Sequence, residues 1–125
     1  MPSDFTVLIV EDEPLIRVHL VTTLEGKGCK TLEAGSAKEA IGMLERHREI
    51  TAVFTDIQMP GPMDGIQLAQ YIRRRWPPMV IVVSSGKATP LAGALPEDTP
   101  FLCKPYDEKQ LGCVIAAMKA RLGPP

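Results

Sequence analysis

The chain has 125 residues, 45% hydrophobic and 23% charged, with a formal net charge of −1. That length suits one domain with a single buried core, and near-neutrality removes any global attraction for nucleic acid or an anionic membrane. No apolar run approaches the length that crosses a bilayer, and Met1-Pro2-Ser3-Asp4 lacks the basic and apolar regions of a secretory signal.

The pattern alternates strand and helix. Residues 5–10 form an apolar run of strand length, and Pro14 suits the first turn of a helix, where its missing N–H costs nothing. Ile16, Leu20 and Leu24 recur every fourth residue, and Gly26 or Gly28 stops that helix. Residues 29–34 alternate like a strand with one solvated face, which suits a sheet edge. Ser36-Ala37-Lys38-Glu39 reads as a capping box ahead of Ala37, Ala40, Ile41 and Leu44. Residues 52–55 are a third strand ending at Asp56. Asp64 caps a helix with Leu68, Ile72 and Trp76, which Pro77-Pro78 ends. Arg73-Arg74-Arg75 reads as the solvated end of that helix, with no direct nucleic-acid role. Residues 79–83 are a fourth strand, running into Ser84.

Residues 86–100 are irregular, with Pro90, Pro96 and Pro100, so at most a short helix near 91–95 fits and residues 87–98 are expected to be mostly loop. Proline in a helix interior costs roughly 3 kcal/mol. Residues 101–103 are a short fifth strand before Lys104. Asp107 caps a last helix lined by Leu111, Val114, Ile115, Met118 and Leu122, which Gly123-Pro124-Pro125 closes. Trp76, Met59 and Met63 read as packing residues, and His19 and His47 as exposed helix residues. Cys29, Cys103 and Cys113 lack metal-ligand spacing, and the last two read as small hydrophobes in apolar stretches. A reducing cytoplasm without disulfides is expected.

Such alternation predicts a parallel sheet with right-handed crossovers and helices on both faces. Periodicity does not give the strand order. An order of 2-1-3-4-5 would bring Glu11, Asp12 and Asp56 together at one rim, with Ser84 and Lys104 on neighbouring strands. Three carboxylates stay ionised together only beside a cation, and hard oxygen donors suit Mg²⁺ better than zinc. An aspartate so placed can attack phosphorus and form an acyl phosphate.

The motifs Val7-Leu8-Ile9-Val10-Glu11-Asp12-Glu13-Pro14, Asp56-Ile57-Gln58-Met59-Pro60, Met63-Asp64-Gly65, Ser84 after Val83, and Lys104-Pro105-Tyr106 together resemble the receiver domain of two-component response regulators. The resemblance covers essentially the whole chain. It implies a doubly wound α/β fold with a five-stranded parallel sheet, and Mg²⁺-dependent phosphoryl transfer from a histidine kinase or histidine phosphotransfer protein. It implies Asp56 as phosphoacceptor, Glu11 and Asp12 as the metal's acidic pair, and the Gln58 main-chain carbonyl as a further ligand. It also implies Ser84 as a switch hydroxyl, Lys104 as phosphate-binding lysine with a cis bond to Pro105, and Phe101 as a switch aromatic. The first helix, through Arg17 and His19, becomes a kinase-docking surface.

The sequence departs from the family in four places. The loop after Asp56 is one residue longer, a change that Gly61-Pro62 can absorb as a turn. Ser84 stands for the commoner threonine. Gly86 carries no side chain to shield a phosphoryl group from water, so a short-lived phosphorylated state is expected. The helix usually found between the fourth and fifth strands is shortened or irregular, which alters the family's usual output and dimer surface.

The expected molecule is a stand-alone receiver of residues 1–125 that catalyses only its own phosphorylation and dephosphorylation. It would signal by protein contact, to an unknown downstream target or to a second copy in a homodimer, without membrane insertion. The alternatives are the receiver part of a hybrid kinase or transcription factor, a small aspartyl-phosphate phosphohydrolase, and a flavodoxin-like nucleotide or flavin binder. The hydrolase needs a second carboxylate two residues after the nucleophile, where Gln58 stands. The nucleotide binder needs a glycine-rich phosphate loop after the first strand, where Glu11-Asp12 stands.

Overall fold

A computed structural model describes residues 5–86 and 93–122. The elements in chain order are β1 (Thr6–Val10), α1 (Pro14–Gly26), β2 (Lys30–Ala34), α2 (Ala37–Arg46), β3 (Ile50–Asp56), α3 (Gly65–Arg75), β4 (Val80–Ser85), β5 (Phe101–Cys103) and α4 (Glu108–Leu122). The five strands form one sheet in the order β2-β1-β3-β4-β5, and every pairing is parallel. β1, β3 and β4 are buried on both faces, so they read as unbroken apolar runs. β2 exposes Lys30 and Glu33 and lies at the edge, where its more polar sequence puts it.

The side-chain alternation of the strands divides the core in two. Leu8, Val10, Val53, Ile81 and Val83 face α2 and α3, meeting Ala40, Leu44, Leu68 and Ile72. Val7, Ile9, Phe54, Val80 and Val82 face α1 and α4, meeting Leu20, Leu24, Leu111, Ile115 and Met118. Burying one such side chain contributes roughly 1.5–3 kcal/mol before conformational entropy is charged against it. Trp76, Met59 and Met63 pack against the α2–α3 side as partly buried residues.

Helix starts carry the expected chemistry, with one difference. Asp64 and Gln67 form a full capping box, and Asp107 and Gln110 exchange the same pair of bonds. Ser36 accepts from the Glu39 N–H as a cap should, but the Glu39 carboxylate accepts from the Gly35 N–H rather than from Ser36. The box is therefore offset by one residue on its return arm. Arg73 closes the other end of α3 by donating to the carbonyls of Pro77 and Met79. His47 is not an open helix residue: it caps α2, half-buried, with Nδ1 3.4 Å from Glu49.

Cys29 is buried, whereas Cys103 and Cys113 are exposed; all three are free thiols. The reading of Cys103 and Cys113 as hydrophobes fails because their positions on β5 and α4 point to solvent.

Between β4 and β5, residues 87–92 lie outside the described residues. Residues 93–98 form turns and bends, with Gly93 at φ 83 and Asp98 at φ 61. No helix lies between β4 and β5 among the described residues. Two side chains tie this connection down: Gln70 of α3 donates to the Ala94 carbonyl at 2.6 Å, and Arg121 of α4 donates to the Asp98 carbonyl. Leu95 packs onto the α2–α3 side of the core.

Candidate functional site

In a parallel sheet the strand ends that carry the crossovers share one rim, and the order of the strands reverses between β1 and β3. Glu11 and Asp12 follow β1, and Asp56 ends β3, so the two adjacent strands deliver three carboxylates to that rim. One oxygen from each lies within 4.8 Å of the other two. Glu11 is 2% exposed and Asp56 5% exposed, so this charge is held away from bulk water; Asp12 is open to solvent.

Lys104 enters from the loop after β5. Its Nζ lies 2.9 Å from Glu11 Oε1 and 3.3 Å from Asp56 Oδ1. The other Glu11 oxygen accepts from the Glu13 N–H at 3.1 Å, satisfying one open donor at the start of α1. The Lys104–Pro105 peptide is cis, as the family resemblance implies.

These neighbours act on the ionisation of the site in opposite senses. Burial raises the Glu11 pKa above the ordinary carboxylate value, and the Lys104 and Glu13 hydrogen bonds offset only part of that. Asp56 is raised for the same first reason, burial, partly offset by the charge and hydrogen bond of Lys104. Burial pulls the Lys104 ammonium down, but the Glu11 hydrogen bond and the two carboxylate charges outweigh it and leave it raised. One ammonium thus holds two carboxylates that are short of compensating charge.

β4 supplies the hydroxyls. Ser84 pairs with Asp56 across the β3–β4 ladder, and its carbonyl accepts from the Ile57 N–H at 2.9 Å. Ser84 Oγ is buried without a hydrogen-bond partner, whereas Asp56 Oδ1 has the Lys104 ammonium at 3.3 Å. Buried polar atoms are rarely left without a partner, and this hydroxyl, on the strand that pairs with Asp56, marks a place suited to something polar. Ser85, the next residue, donates its hydroxyl to Gln58 Oε1 at 2.9 Å.

The loop from Ile57 to Asp64 is folded back tightly. The Gly65 N–H donates to the Ile57 carbonyl at 2.9 Å. A Cβ on Gly65 would collide with the Asp56 carbonyl oxygen and lie 2.7 Å from Ile57 Cα. Gly61, whose φ of 97 suits glycine, lies in a run of bends over residues 60–62.

Glu11, Asp12, Glu13, Ile16, Asp56, Gln58, Gly86 and Lys104 line a pocket of about 370 Å³. Five of the expected site residues are therefore together in it, with Ser84 buried alongside Asp56. Phe101 lies apart: it pairs with Val83 and packs half-buried on the α2–α3 side. Arg17 is not an open docking residue, because it donates to the Glu11 carbonyl at 2.9 Å and pairs with Glu33 at 3.1 Å.

The sequence reading gave no role to Ser85 or Tyr106. A serine next to an already assigned serine carries no separate signal. The Tyr106 ring meets Phe54 edge-on at 6.1 Å, and its hydroxyl is held protonated well above the usual range, first by burial and then by the Glu11 and Asp56 charges.

The chain is similar to known proteins in both sequence and fold. It is 37% identical over 117 residues to the sensor kinase CckA of Brucella abortus, covering 90% of this chain and 12% of the kinase. It is 30% identical to the transcriptional regulatory protein FixJ of Azorhizobium caulinodans, covering 98% of this chain and 57% of the regulator. The chain therefore spans only part of the length of these relatives. A response regulator receiver protein from Sinorhizobium medicae superposes with a TM-score of 0.86 at 32% identity, covering 93% of this chain and 94% of that one. The model of the response regulator receiver domain matches residues 7–116, a span that contains every carboxylate of the rim together with Lys104, and the chain belongs to that family.

Proposed function

We propose that Asp56 accepts a phosphoryl group from a histidine kinase or histidine phosphotransfer protein, and that the modification switches contacts with a downstream protein. The observation that carries the reading is Asp56, ion-paired to Lys104 at 3.3 Å in an acidic pocket, with the buried Ser84 hydroxyl unpartnered on the neighbouring strand. An Asp56 oxygen attacks phosphorus as the bond to the donor's imidazole nitrogen breaks, and that electron pair returns to the ring. Lys104 is placed to hold a phosphoryl oxygen and Ser84 to donate to another, so the protein's work is positioning and charge neutralisation.

The donor set fits Mg²⁺: Glu11, Asp12 and Asp56 each offer a carboxylate oxygen, and the Gln58 main-chain carbonyl, which the family resemblance implies as a ligand, would add a further hard oxygen. When bound, the ion supplies positive charge that lets an anionic phosphate approach an anionic nucleophile.

The phosphodonor is proposed to dock over α1. Leu15 and Val18 are 84% and 61% exposed. A pocket of about 520 Å³ lined by Leu15, Ile16, His19, Pro105 and Tyr106 shares Gly86 and Lys104 with the acidic pocket. The chain acts on no external substrate in this reading, because Gln58 cannot serve as the general acid of a phosphohydrolase. It works in the cytoplasm. No helix among the described residues is long and apolar enough to cross a membrane.

The test is incubation with acetyl phosphate and Mg²⁺ followed by intact mass. A single phosphoryl adduct is expected, lost in Asp56→Ala and on chelation. An adduct that survives Asp56→Ala would sink the reading.

A further inference from the structure

Ser85 and Gln58 face each other from two fixed pieces of backbone. Ser85 ends β4, is 3% exposed, and its carbonyl accepts from the Lys104 N–H at 2.9 Å. Gln58 follows Ile57, whose N–H is held by the Ser84 carbonyl. The Ser85 hydroxyl donates to Gln58 Oε1 at 2.9 Å, so the amide oxygen is turned toward β4. Gln58 also lines the pocket that contains Asp56. An amide offers one acceptor oxygen and two N–H donors, and a hydrolytic water needs an acceptor to orient its lone pair, the role a glutamine plays in GTP hydrolysis. Here one lone pair of that oxygen is taken by Ser85.

We propose that Ser85 is a positioning residue that prolongs the phosphorylated state of Asp56 by holding the Gln58 amide oxygen where it cannot orient an attacking water. The proposal rests on Asp56 being the phosphoacceptor. In the step it restrains, a water oxygen bonds to phosphorus and the bond from phosphorus to the Asp56 oxygen breaks. Its electron pair returns to the carboxylate, and a water proton leaves with inorganic phosphate. Gly86 leaves the pocket open to water; the hydroxyl of Ser85 governs whether that water is aligned.

The test follows loss of the acyl phosphate by intact mass after the phosphodonor is removed, in Mg²⁺ buffer. Wild type is compared with Ser85→Ala, Ser85→Thr, Gln58→Ala and the Ser85→Ala/Gln58→Ala double variant. Ser85→Ala is expected to shorten the lifetime by about two- to tenfold, the range one ordinary hydrogen bond commands. Ser85→Thr is expected to restore it, and Ser85→Ala to add nothing in the Gln58→Ala background. Side-chain amide resonances of Gln58 should broaden or shift in Ser85→Ala and not in Ser85→Thr. A Ser85→Ala lifetime equal to or longer than wild type overturns the proposal, as does acceleration that persists without the Gln58 side chain. A wild type that takes no label at all overturns the phosphoacceptor reading first and the proposal with it, so the two failures are told apart.

Discussion

Asp56 is under electrostatic stress before any phosphate arrives. Its raised pKa, caused first by burial, means the folded chain holds this proton more tightly than the unfolded chain does. The stability from that proton is full below the unfolded value and lost as pH rises through the folded one. At neutral pH and without metal, the ionised carboxylate is therefore a net cost. Asp56→Asn is expected to stabilise the metal-free protein by about 1 kcal/mol at pH 7, with the advantage shrinking as pH falls into the acid range. Urea denaturation in the presence of a chelator measures both; equal stabilities at pH 7 would show that Lys104 already compensates the charge. Gly86 makes a second point at this scale. A Cβ there would meet the Lys104 side chain at 3.6 Å, an ordinary contact, so Gly86→Val should fold and lengthen the lifetime of the acyl phosphate several-fold by narrowing the water's approach. An unchanged lifetime would leave the missing side chain without consequence.

At the scale of elements, the turn from β3 into α3 positions the nucleophile by contact as well as by hydrogen bonds. Gly65 sits so close to the Asp56 and Ile57 backbone that a methyl group has no room. Gly65→Ala is expected to cost about 3 kcal/mol, at the upper end for overpacking, and to lower labelling of Asp56 because the backbone that must give way is the nucleophile's own. A thermal-melt shift without any loss of labelling would separate the turn from the site. The elements were largely legible, because β1, β3 and β4 announce themselves as apolar runs and Asp64 and Asp107 as caps. What escaped depends on where side chains turn. The return arm of the Ser36 cap goes to Gly35, and Arg17 folds onto Glu11 and Glu33. Ser85 reaches Gln58 across two strands' loops. None of these contacts has a period or a fixed spacing. The carboxylates were legible for the opposite reason, since strand ends in a parallel sheet must share a rim.

For the whole molecule, the question is how a change at Asp56 leaves the domain. Among the described residues no helix covers the α3 side between β4 and β5, and the connection is held by Gln70 and Arg121 instead. The opposite side keeps both its helices and carries the exposed Leu15 and Val18. If the phosphodonor docks there, Leu15→Glu with Val18→Glu should cut transfer from a phosphohistidine donor about tenfold more than labelling by acetyl phosphate, as expected when a buried interface anchor is lost. Equal effects on both donors would place docking elsewhere. The two margins of the sheet bear on self-association. β5 has three residues, and β2 carries exposed Lys30 and Glu33. Short or charged borders of this kind resist strand addition by another chain. A pair of these domains would therefore have to meet through helices or loops, and a continuous sheet running through two copies is not a form this molecule is built to take.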